Sequence, residues 1–192
     1  MRKTTFFQLA ALAGALLFSG TLAAQEPPST STTSASASRG SAASSTAPGL
    51  LSVGELKKVL PATVFFRGQS APVQLRNAGG IRFQDGRLLL AALVDNSGYS
   101  TGVAAKYQGY LIVEDKIKVG DQELAPGAYG FGFVAQDQLV VQDIGAHDVL
   151  TTTFQTDSQL PRPTPLRIAQ TGGEYRLYSG RKYVTITAPA AP

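Results

Sequence analysis

The residues of this sequence with the clearest potential for chemistry are one serine, one histidine and nearby carboxylates. Ser100 lies in Gly98-Tyr-Ser-Thr-Gly102, the G-x-S-x-G spacing in which a sharp turn exposes a serine hydroxyl. Asp143 and the only histidine, His147, follow in the chain order of a Ser–Asp–His triad. His147 would then act as general base for Ser100. Asp143 or Asp137 would orient the imidazole, and the reaction would be acyl transfer.

The surrounding sequence counts against this triad. The nucleophile elbow of α/β hydrolases needs a strand that runs directly into the turn and a helix that leaves it. Residues 95–97 (Asp-Asn-Ser) intervene before the motif, and residues 103–107 are too short for a firm helix. A chain with 20 glycines among 192 residues also produces this spacing by chance. We therefore expect a structural loop around Ser100.

A metal centre is the other chemistry that this region suggests. Asp143, His147 and Asp148 offer one imidazole beside carboxylates, which falls short of the ligand sets of zinc and iron sites. The sequence therefore predicts no metal and no cofactor, and His147 is interpreted as a residue of a turn or strand end.

Aromatic and small residues alternate between Gly127 and Phe133. In a strand this alternation places Tyr129, Phe131 and Phe133 on one face and leaves backbone bare at Gly130 and Gly132 on the other. Such a strip admits either a packed element or a ligand. We favour packing, with the aromatic face in the core and the helix predicted at 52–60 on the glycines; a ligand groove at the two glycines is the alternative.

Hydrophobic periodicity predicts an all-β domain that begins with one short helix. Ser52 and Glu55 have capping-box spacing, and Pro61 ends the helical pattern. The period then changes to two, and Asp85-Gly86 predicts a type I′ hairpin turn. Because helical crossovers are missing, either an antiparallel β-sandwich or a partly closed barrel fits. The predicted strands are 81–84, 87–94, 110–113, 117–119, 128–134, 138–144, 149–154, 166–170, 174–178 and 182–187.

One hairpin resembles a known type of domain. The segment from Ile117 to Tyr129 contains Leu124-Ala-Pro-Gly-Ala-Tyr129, which is similar to the L-P-x-G-x-Y hairpin of small secreted bacterial β domains of unknown function. The order Ala-Pro departs from the commoner Pro-Ala, and the likeness covers about twenty residues. The resemblance implies a β fold and carries no active-site residue across.

The C-terminal part of the chain is basic and rich in tyrosine. Such a surface can bind single-stranded nucleic acid or acidic glycans, but we favour a solvated sheet face, because basic side chains also protect exposed strands from edge pairing. The net charge of +4 includes Arg2 and Lys3, and the remaining +2 argues against a nucleic-acid partner. The residues concerned are Arg162, Arg167, Arg176, Arg181 and Lys182, with Tyr175, Tyr178 and Tyr183.

The first residues predict export to the periplasm or the extracellular space. A basic start, an apolar run and small residues up to Ala24 form a signal peptide over 1–24, with cleavage after Ala24 preferred over Ala23. A disordered Ser/Thr/Ala/Pro linker over 25–49, one β domain over 50–188 and a disordered tail over 189–192 follow. The chain contains no cysteine and therefore no disulfide, and no later segment is predicted to span a membrane.

These observations predict an envelope or secreted β domain that binds a protein partner or a small ligand without catalysis. A small serine hydrolase using Ser100 and His147 is one alternative. A structural envelope component is the other, and self-assembly of the isolated domain would distinguish it. The sequence leaves the partner and the oligomeric state open.

Overall fold

Alternation of buried and exposed side chains builds some strands of this protein, whereas the strand Leu88–Val94 is buried along most of its length. The computed structural model describes residues 47–187. In the strand Ile117–Val119 the two terminal residues are buried and Lys118 between them is exposed. Successive side chains of a strand point to opposite faces, so this period of two buries one face of a sheet and leaves the other in solvent.

The described residues form fourteen strands and two helices. The elements are β1 (Gly49–Leu50), α1 (Val53–Val59), β2 (Thr63–Phe66), β3 (Gln69–Arg82), β4 (Leu88–Val94), α2 (Thr101–Lys106), β5 (Gly109–Val113), β6 (Ile117–Val119), β7 (Gln122–Leu124), β8 (Gly127–Phe133), β9 (Gln138–Gln142), β10 (Asp148–Thr153), β11 (Gln155–Thr156), β12 (Thr164–Thr171), β13 (Glu174–Gly180) and β14 (Lys182–Thr187).

The strands form two antiparallel sheets. The first has eight strands in the order β1-β3-β4-β5-β8-β9-β10, with β2 paired to β3, and the second has six in the order β12-β13-β14-β6-β7, with β11 paired to β14. The consecutive pairing of β12, β13 and β14 is the predicted C-terminal meander. Neither sheet closes on itself, so the architecture is a β-sandwich rather than a barrel.

The main core lies between the two sheets. The first sheet contributes Leu89 from β4, Leu111 from β5 and Phe131 from β8, and the second contributes Leu177 and Val184 from β13 and β14. All five side chains are almost fully buried. Burial of this apolar surface is the main source of stability for a domain without disulfides.

Helix α1 forms as its sequence predicts. The Ser52 hydroxyl accepts from the Glu55 amide at 3.3 Å, while the Glu55 carboxylate accepts from the Ser52 amide at 2.9 Å. Leu56 is the buried residue of the helix. It packs in a small cluster with Leu88 and Leu90 of β4, beside Gly80 of β3.

Helix α2 corrects the prediction of a single helix. Residues 103–107 were expected to be too short for a helix, yet α2 runs over Thr101–Lys106. Its sequence signal is weak because it contains Gly102 and the β-branched residues Thr101 and Val103. Tertiary contacts stabilise it instead, since buried Tyr107 follows it directly and its last turn lies on the bare backbone of Gly132.

The turn at Asp85-Gly86 also differs from the prediction. Gly86 has a φ of 87°, but Asp85 is not among the described residues with positive φ, so this is not a type I′ turn. The Gly86 amide bonds to the Phe83 carbonyl at 3.0 Å, and the Phe83 amide bonds to the Arg87 carbonyl at 2.8 Å. This is a three-residue hairpin loop with glycine at the bulge position.

Three parts of the predicted domain organisation lie wholly or mostly outside the described residues 47–187. The predicted signal peptide, the linker up to residue 46 and the tail at 189–192 lie outside residues 47–187. The first described strand, β1, starts at Gly49, which pairs with Arg82 of β3, one residue before the predicted start of the domain. Neither α1 nor α2 is long and apolar enough to cross a membrane, and residues 47–187 contain no other helix.

Candidate functional site

The loop between β4 and α2 holds Ser100 in an ordinary backbone conformation. Ser100 is the N-cap of α2, with φ −60° and ψ 152°. The Asn96 side-chain amide donates to the carbonyl oxygens of Ala104 at 3.1 Å and Tyr107 at 2.6 Å, which fastens the loop to the helix. Ser100 therefore lacks the sharp, strained turn of a nucleophile elbow. Its hydroxyl caps no helix amide and makes no hydrogen bond within residues 47–187.

The loop between β9 and β10 brings Asp143 and His147 together. The His147 Nδ1 atom lies 3.0 Å from the Asp143 Oδ2 atom. The other carboxylate oxygen accepts from the backbone amides of Gly145 and His147 at 2.9 Å each. These bonds hold the pKa of Asp143 below its usual range, with the backbone amide of His147 as the largest cause. The His147 side chain itself is 82% exposed.

Ser100 and His147 are not hydrogen-bonded to each other in the described part of the chain. Asp137, the other carboxylate considered for orienting His147, lies in the β8–β9 turn, where its carbonyl accepts from the Phe154 amide. Asp137 forms no ion pair with His147 within residues 47–187. Of the sequence-predicted triad, the structure therefore joins the acid and the base but not the base and the nucleophile.

Ser100 does line a cavity next to the β9–β10 loop. This cavity has a volume of about 280 Å³ and is called the α2 cavity below. It lies between the β2–β3 turn, helix α2 and the β9–β10 loop. Its lining residues are Arg67, Ser100, Gly102, Val103, Lys106, Gln142 and Ala146.

Arg67 enters the cavity from a strained turn. Arg67 and Gly68 connect β2 to β3, and both have positive φ, 46° and 80°. The Arg67 amide donates to the Ile144 carbonyl at 2.8 Å, which ties this turn to the β9–β10 loop. The Tyr99 hydroxyl donates a hydrogen bond to the carbonyl oxygen of Phe66 at 3.0 Å, which holds the residue before the turn in place. The guanidinium of Arg67 has no ion pair or hydrogen bond to another residue of 47–187.

Gln142 forms the buried wall of the cavity. The residue is 4% exposed. Its Nε2 atom donates to the Asp148 carboxylate at 2.7 Å and to the Ala146 carbonyl at 3.2 Å. Its Oε1 atom is buried without a hydrogen-bond partner. Buried polar atoms normally have partners, so this oxygen is an exception that calls for a reason.

Lys106 and Asp148 form an ion pair beside Gln142. The Lys106 Nζ atom lies 2.6 Å from the Asp148 Oδ2 atom. This hydrogen bond, followed by that from Gln142, lowers the pKa of Asp148 from its usual value. The charge of Lys106 is therefore matched within the protein, whereas that of Arg67 is not.

The glycine strip of β8 is covered by protein. A Cβ atom at Gly130 would lie 2.5 Å from the ring of Phe66 and 2.8 Å from that of Tyr107, and one at Gly132 would meet the backbone of Lys106. No open groove remains above these two glycines. Phe131 and Phe133 face the main core, as predicted, but α2 and the aromatic rings cover the glycines in place of the predicted helix at 52–60.

In the basic C-terminal strands, two tyrosine rings lie against arginine side chains of the same sheet. The Arg167 guanidinium lies 4.9 Å from the centre of the Tyr178 ring, and that of Arg176 lies 4.5 Å from the Tyr183 ring. Arg181 donates to the Ser158 carbonyl at 2.9 Å. These cation–π contacts occupy ring faces that a nucleobase or a sugar would need for stacking.

The described residues contain no group of three or more His, Cys, Asp or Glu side chains that could hold a metal ion. Asp143 and His147 pair with each other, while Asp148 pairs with Lys106.

Sequence reasoning missed three of the residues that line the cavity. Arg67 could have been found from the sequence. Arg67-Gly68 lies between two segments of period two, which indicates a hairpin turn, and arginine is unusual at a turn position that needs positive φ. Lys106 and Gln142 could not, since their roles depend on which loops meet in space.

Comparisons with known proteins add no further assignment to this geometry. No protein-family model matches the chain, and neither a curated protein nor a solved structure does.

Proposed function

We propose that this chain is an exported, non-catalytic binding domain and that its ligand occupies the α2 cavity. The observation that supports this proposal is that two polar groups without partners in residues 47–187 line one small cavity beside Gln142. They are the guanidinium of Arg67 and the hydroxyl of Ser100. Ligand sites in proteins combine a concave surface with a few convergent polar groups of this kind. A ligand would supply the missing partners.

The backbone strain at Arg67 gives independent support. An arginine at positive φ is less stable than glycine or asparagine in the same position. Residues held in such conformations cluster at functional sites, where the strain is retained for a purpose. Ala146, which lines the same cavity, also has positive φ, at 70°.

The local geometry favours binding over catalysis. Ser100 has no hydrogen bond to His147, and its backbone lacks the strain of an elbow. His147 is largely in solvent and is not one of the residues that line the cavity. A hydroxyl without a general base is a poor nucleophile but a good ligand for a polar molecule.

An NMR screen that follows the side-chain amide signals of the protein tests the binding proposal. The probe is a mixed set of small anions, cations and neutral molecules, added to the wild type and to Arg67→Asn. Hits should shift the side-chain amide signals of Gln142 and should bind Arg67→Asn at least about tenfold more weakly, the loss expected for one charge-assisted hydrogen bond.

Arg76→Asn is the matched control, because Arg76 is exposed on β3 and does not line the cavity. It should bind every hit like the wild type. A screen without hits, or hits that bind all three proteins equally and leave Gln142 unshifted, would contradict the proposal.

A serine hydrolase is the second candidate, favoured by the Asp143–His147 pair. A small rotation or a bound substrate would have to bring His147 to Ser100, since catalytic hydrogen bonds are often long before substrate binds. A fluorophosphonate probe should leave the native protein unlabelled if the chain is a binding domain. Labelling that disappears in both Ser100→Ala and His147→Ala would replace binding with acyl transfer.

Export is the remaining part of the proposal and rests on the first 24 residues. The chain should be recovered outside the cytoplasm with Gln25 as its first residue, or Ala24 if cleavage follows Ala23. N-terminal mass spectrometry of the protein expressed from the full sequence measures this directly. Recovery of the chain in the cytoplasm with its leader intact would contradict export.

A further inference from the structure

We propose that the free edge of β10 pairs with the β10 strand of a second copy of this chain and forms a closed antiparallel dimer. The dimer is a second activity of the domain, and it needs no ligand in the α2 cavity. Three features point to it: the backbone groups at this edge, the protection of the other sheet edges, and the symmetry of the pairing.

The backbone of β10 is paired on one side only. Strand β10 is the last strand of the first sheet, and within residues 47–187 its backbone pairs with β9 alone. The Phe154 amide donates to the Asp137 carbonyl at 2.9 Å, so Phe154 faces the β9 side. Neighbouring residues of a strand present their N–H and C=O groups to opposite sides. Thr152 therefore faces β9 as well, whereas the backbone groups of Thr151 and Thr153 face the open edge.

The other edges of the two sheets carry features that prevent pairing with a further strand. Strand β1 has two residues, and β7 has three, with Glu123 in the middle. Strand β12 contains Pro165 and Arg167. On β2 the carbonyl oxygens of Phe65 and Phe66 accept hydrogen bonds from tyrosine hydroxyls. Short strands, prolines and charged side chains are the usual protection of sheet edges.

Strand β10 lacks such protection after its first two residues. Asp148 is followed by Val-Leu-Thr-Thr-Thr, without proline, glycine or charge. A bulge at Val149 confines the regular edge to residues 150–153. The Val149 side chain is 48% exposed and adds apolar surface beside that edge. Valine and threonine favour strand pairing, so this edge is suited to accept a further strand.

A twofold axis at Thr152 satisfies the backbone groups that face the edge. Antiparallel pairing around Thr152 sets Thr151 of one copy opposite Thr153 of the other, and the reverse, which gives four N–H···O=C bonds. Cross-strand threonine pairs are favourable. In this register Asp148 lies opposite Thr156 rather than opposite a second carboxylate. Because both copies use the same edge, the pairing closes at two and leaves no edge for a third copy.

The small size of the paired edge makes the dimer weak. Four residues from each copy bury far less than the about 800 Å² per partner of a standard interface, so we expect a Kd on the order of 10–100 µM. Sedimentation velocity between about 5 and about 500 µM should show the mass rising from one copy to two. The amides of Thr151 and Thr153 should exchange slowly with solvent only at the high concentration, because they face the edge.

A charge swap tests both the edge and its register. The variant Thr151→Lys/Thr153→Lys sets lysines of the two copies opposite each other, and Thr151→Glu/Thr153→Glu does the same with glutamates. Each alone should stay monomeric up to about 500 µM, whereas their equimolar mixture should dimerise at least about tenfold more tightly than either. Both side chains are exposed, so the variants should fold, which urea unfolding checks.

Thr164→Lys/Thr171→Lys is the matched control, because both threonines are exposed on β12, an edge strand of the other sheet. It should dimerise like the wild type. A wild-type chain that stays monomeric at about 500 µM would leave the edge to a different protein and overturn the proposal. A dimer that both charged variants retain would lie on another face and overturn it as well.

Three further results would also contradict the closed dimer. If the two charged variants stay monomeric when mixed, the register around Thr152 is wrong. If the amides of Thr151 and Thr153 exchange slowly in the monomer, another segment of the same chain covers the edge. If the mass rises beyond two copies, the assembly is open and favours a structural envelope component. None of these results bears on the α2 cavity, which the NMR screen tests separately.

Discussion

The two helices of this domain have similar lengths but differ in how they use their polar groups. In α1 the Ser52 hydroxyl and the Glu55 carboxylate complete a capping box, and Glu55 lies 3.5 Å from Arg82. In α2 the corresponding N-cap, Ser100, makes no capping bond, and the helix buries none of its own side chains. The N-cap hydroxyl of α1 is hydrogen-bonded within the capping box, whereas the N-cap residue of α2 makes no capping bond and lines the α2 cavity.

The comparison distinguishes a helix whose polar groups stabilise the fold, α1, from a helix that lines the candidate site, α2. A buried leucine and a complete cap stabilise α1 in its own right. Helix α2 depends on the backbone of β8, where the glycines allow it to approach closely. The glycine strip of β8, which the sequence offers as an alternative groove, is thus covered by α2 and by aromatic rings, and the α2 cavity is lined by Gln142 of β9 beside that strip.

Substitution of the glycines that lie under the two helices, Gly132 under α2 and Gly80 under α1, gives the largest expected effect. At Gly132 a Cβ would lie 2.8 Å from the carbonyl carbon of Lys106, so Gly132→Ala must displace the backbone of α2. At Gly80 the nearest atoms are the flexible ends of Leu51, Leu56 and Leu90. We expect about 3 kcal/mol of destabilisation for Gly132→Ala and about 1 kcal/mol for Gly80→Ala, measured by urea unfolding.

Gly54→Ala is the control for these two variants, because a Cβ there meets only Ser52 Oγ at 3.9 Å. Alanine in place of this helical glycine should stabilise the protein by about 0.5 kcal/mol. Equal costs for Gly132→Ala and Gly80→Ala would show that α2 is seated no more tightly than α1.

Removal of the two N-cap hydroxyls tests the comparison directly. Ser52→Ala breaks the capping box and should lower the free energy of unfolding by about 1 kcal/mol. Ser100→Ala removes a hydroxyl without a partner and should change it by less than about 0.5 kcal/mol. A cost at Ser100 equal to that at Ser52 would mean that the Ser100 hydroxyl stabilises the fold, which would weaken its assignment to a ligand.

Most of the fold could be predicted from the sequence because its signals are local. Several strands from β4 onward follow a period of two or a long apolar run, and α1 follows a capping box within four residues, but the sequence predicts no strand at β2 or over residues 69–80 of β3. Helix α2 could not be predicted, because its own residues are poor helix formers and its stability comes from Gly132, some thirty residues later in the chain. The sequence also could not distinguish a sandwich from a barrel, because that difference depends on pairing between strands far apart in the chain, such as β6 with β14.

The candidate site was less predictable than the fold. The sequence identifies Asp143 and His147 by their order after Ser100, and the structure pairs them because a short loop brings residues four apart together. The glycines of β8 were singled out for their bare backbone, and the structure fills that space with Phe66 and Tyr107. The unpartnered oxygen of Gln142 has no sequence signal, since it depends on where its amide nitrogen is held.

Relief of the strain at Arg67 should give a smaller effect of opposite sign. Arg67→Asn creates Asn-Gly, the dipeptide that best tolerates positive φ at both central positions of a type I′ turn. We expect the free energy of unfolding to rise by about 0.5 kcal/mol, measured in urea, while ligands of the α2 cavity bind at least about tenfold more weakly. A variant that is less stable than the wild type would show that the Arg67 side chain stabilises the turn and would remove the strain argument for a functional role.

The smallest expected effect is the pH dependence of the carboxylates beside the two helices. Hydrogen bonds from Ser52 lower the pKa of Glu55, and the hydrogen bond from Lys106 is the largest cause that lowers the pKa of Asp148. Both folded pKa values lie below the unfolded ones, so the stability they contribute is complete above the unfolded values and is lost as the pH falls through the folded values. Solvent screening keeps both contributions small.

NMR titration of the side-chain carboxyl carbons distinguishes the two sites. Lys106→Met should raise the pKa of Asp148 toward its usual 3.8 and leave that of Glu55 unchanged, because the ion pair belongs to α2 alone. The remaining bond from Gln142 should keep the Asp148 pKa below that value. A wild-type Asp148 that titrates at or above 3.8 would mean that the Lys106 pair is absent in solution.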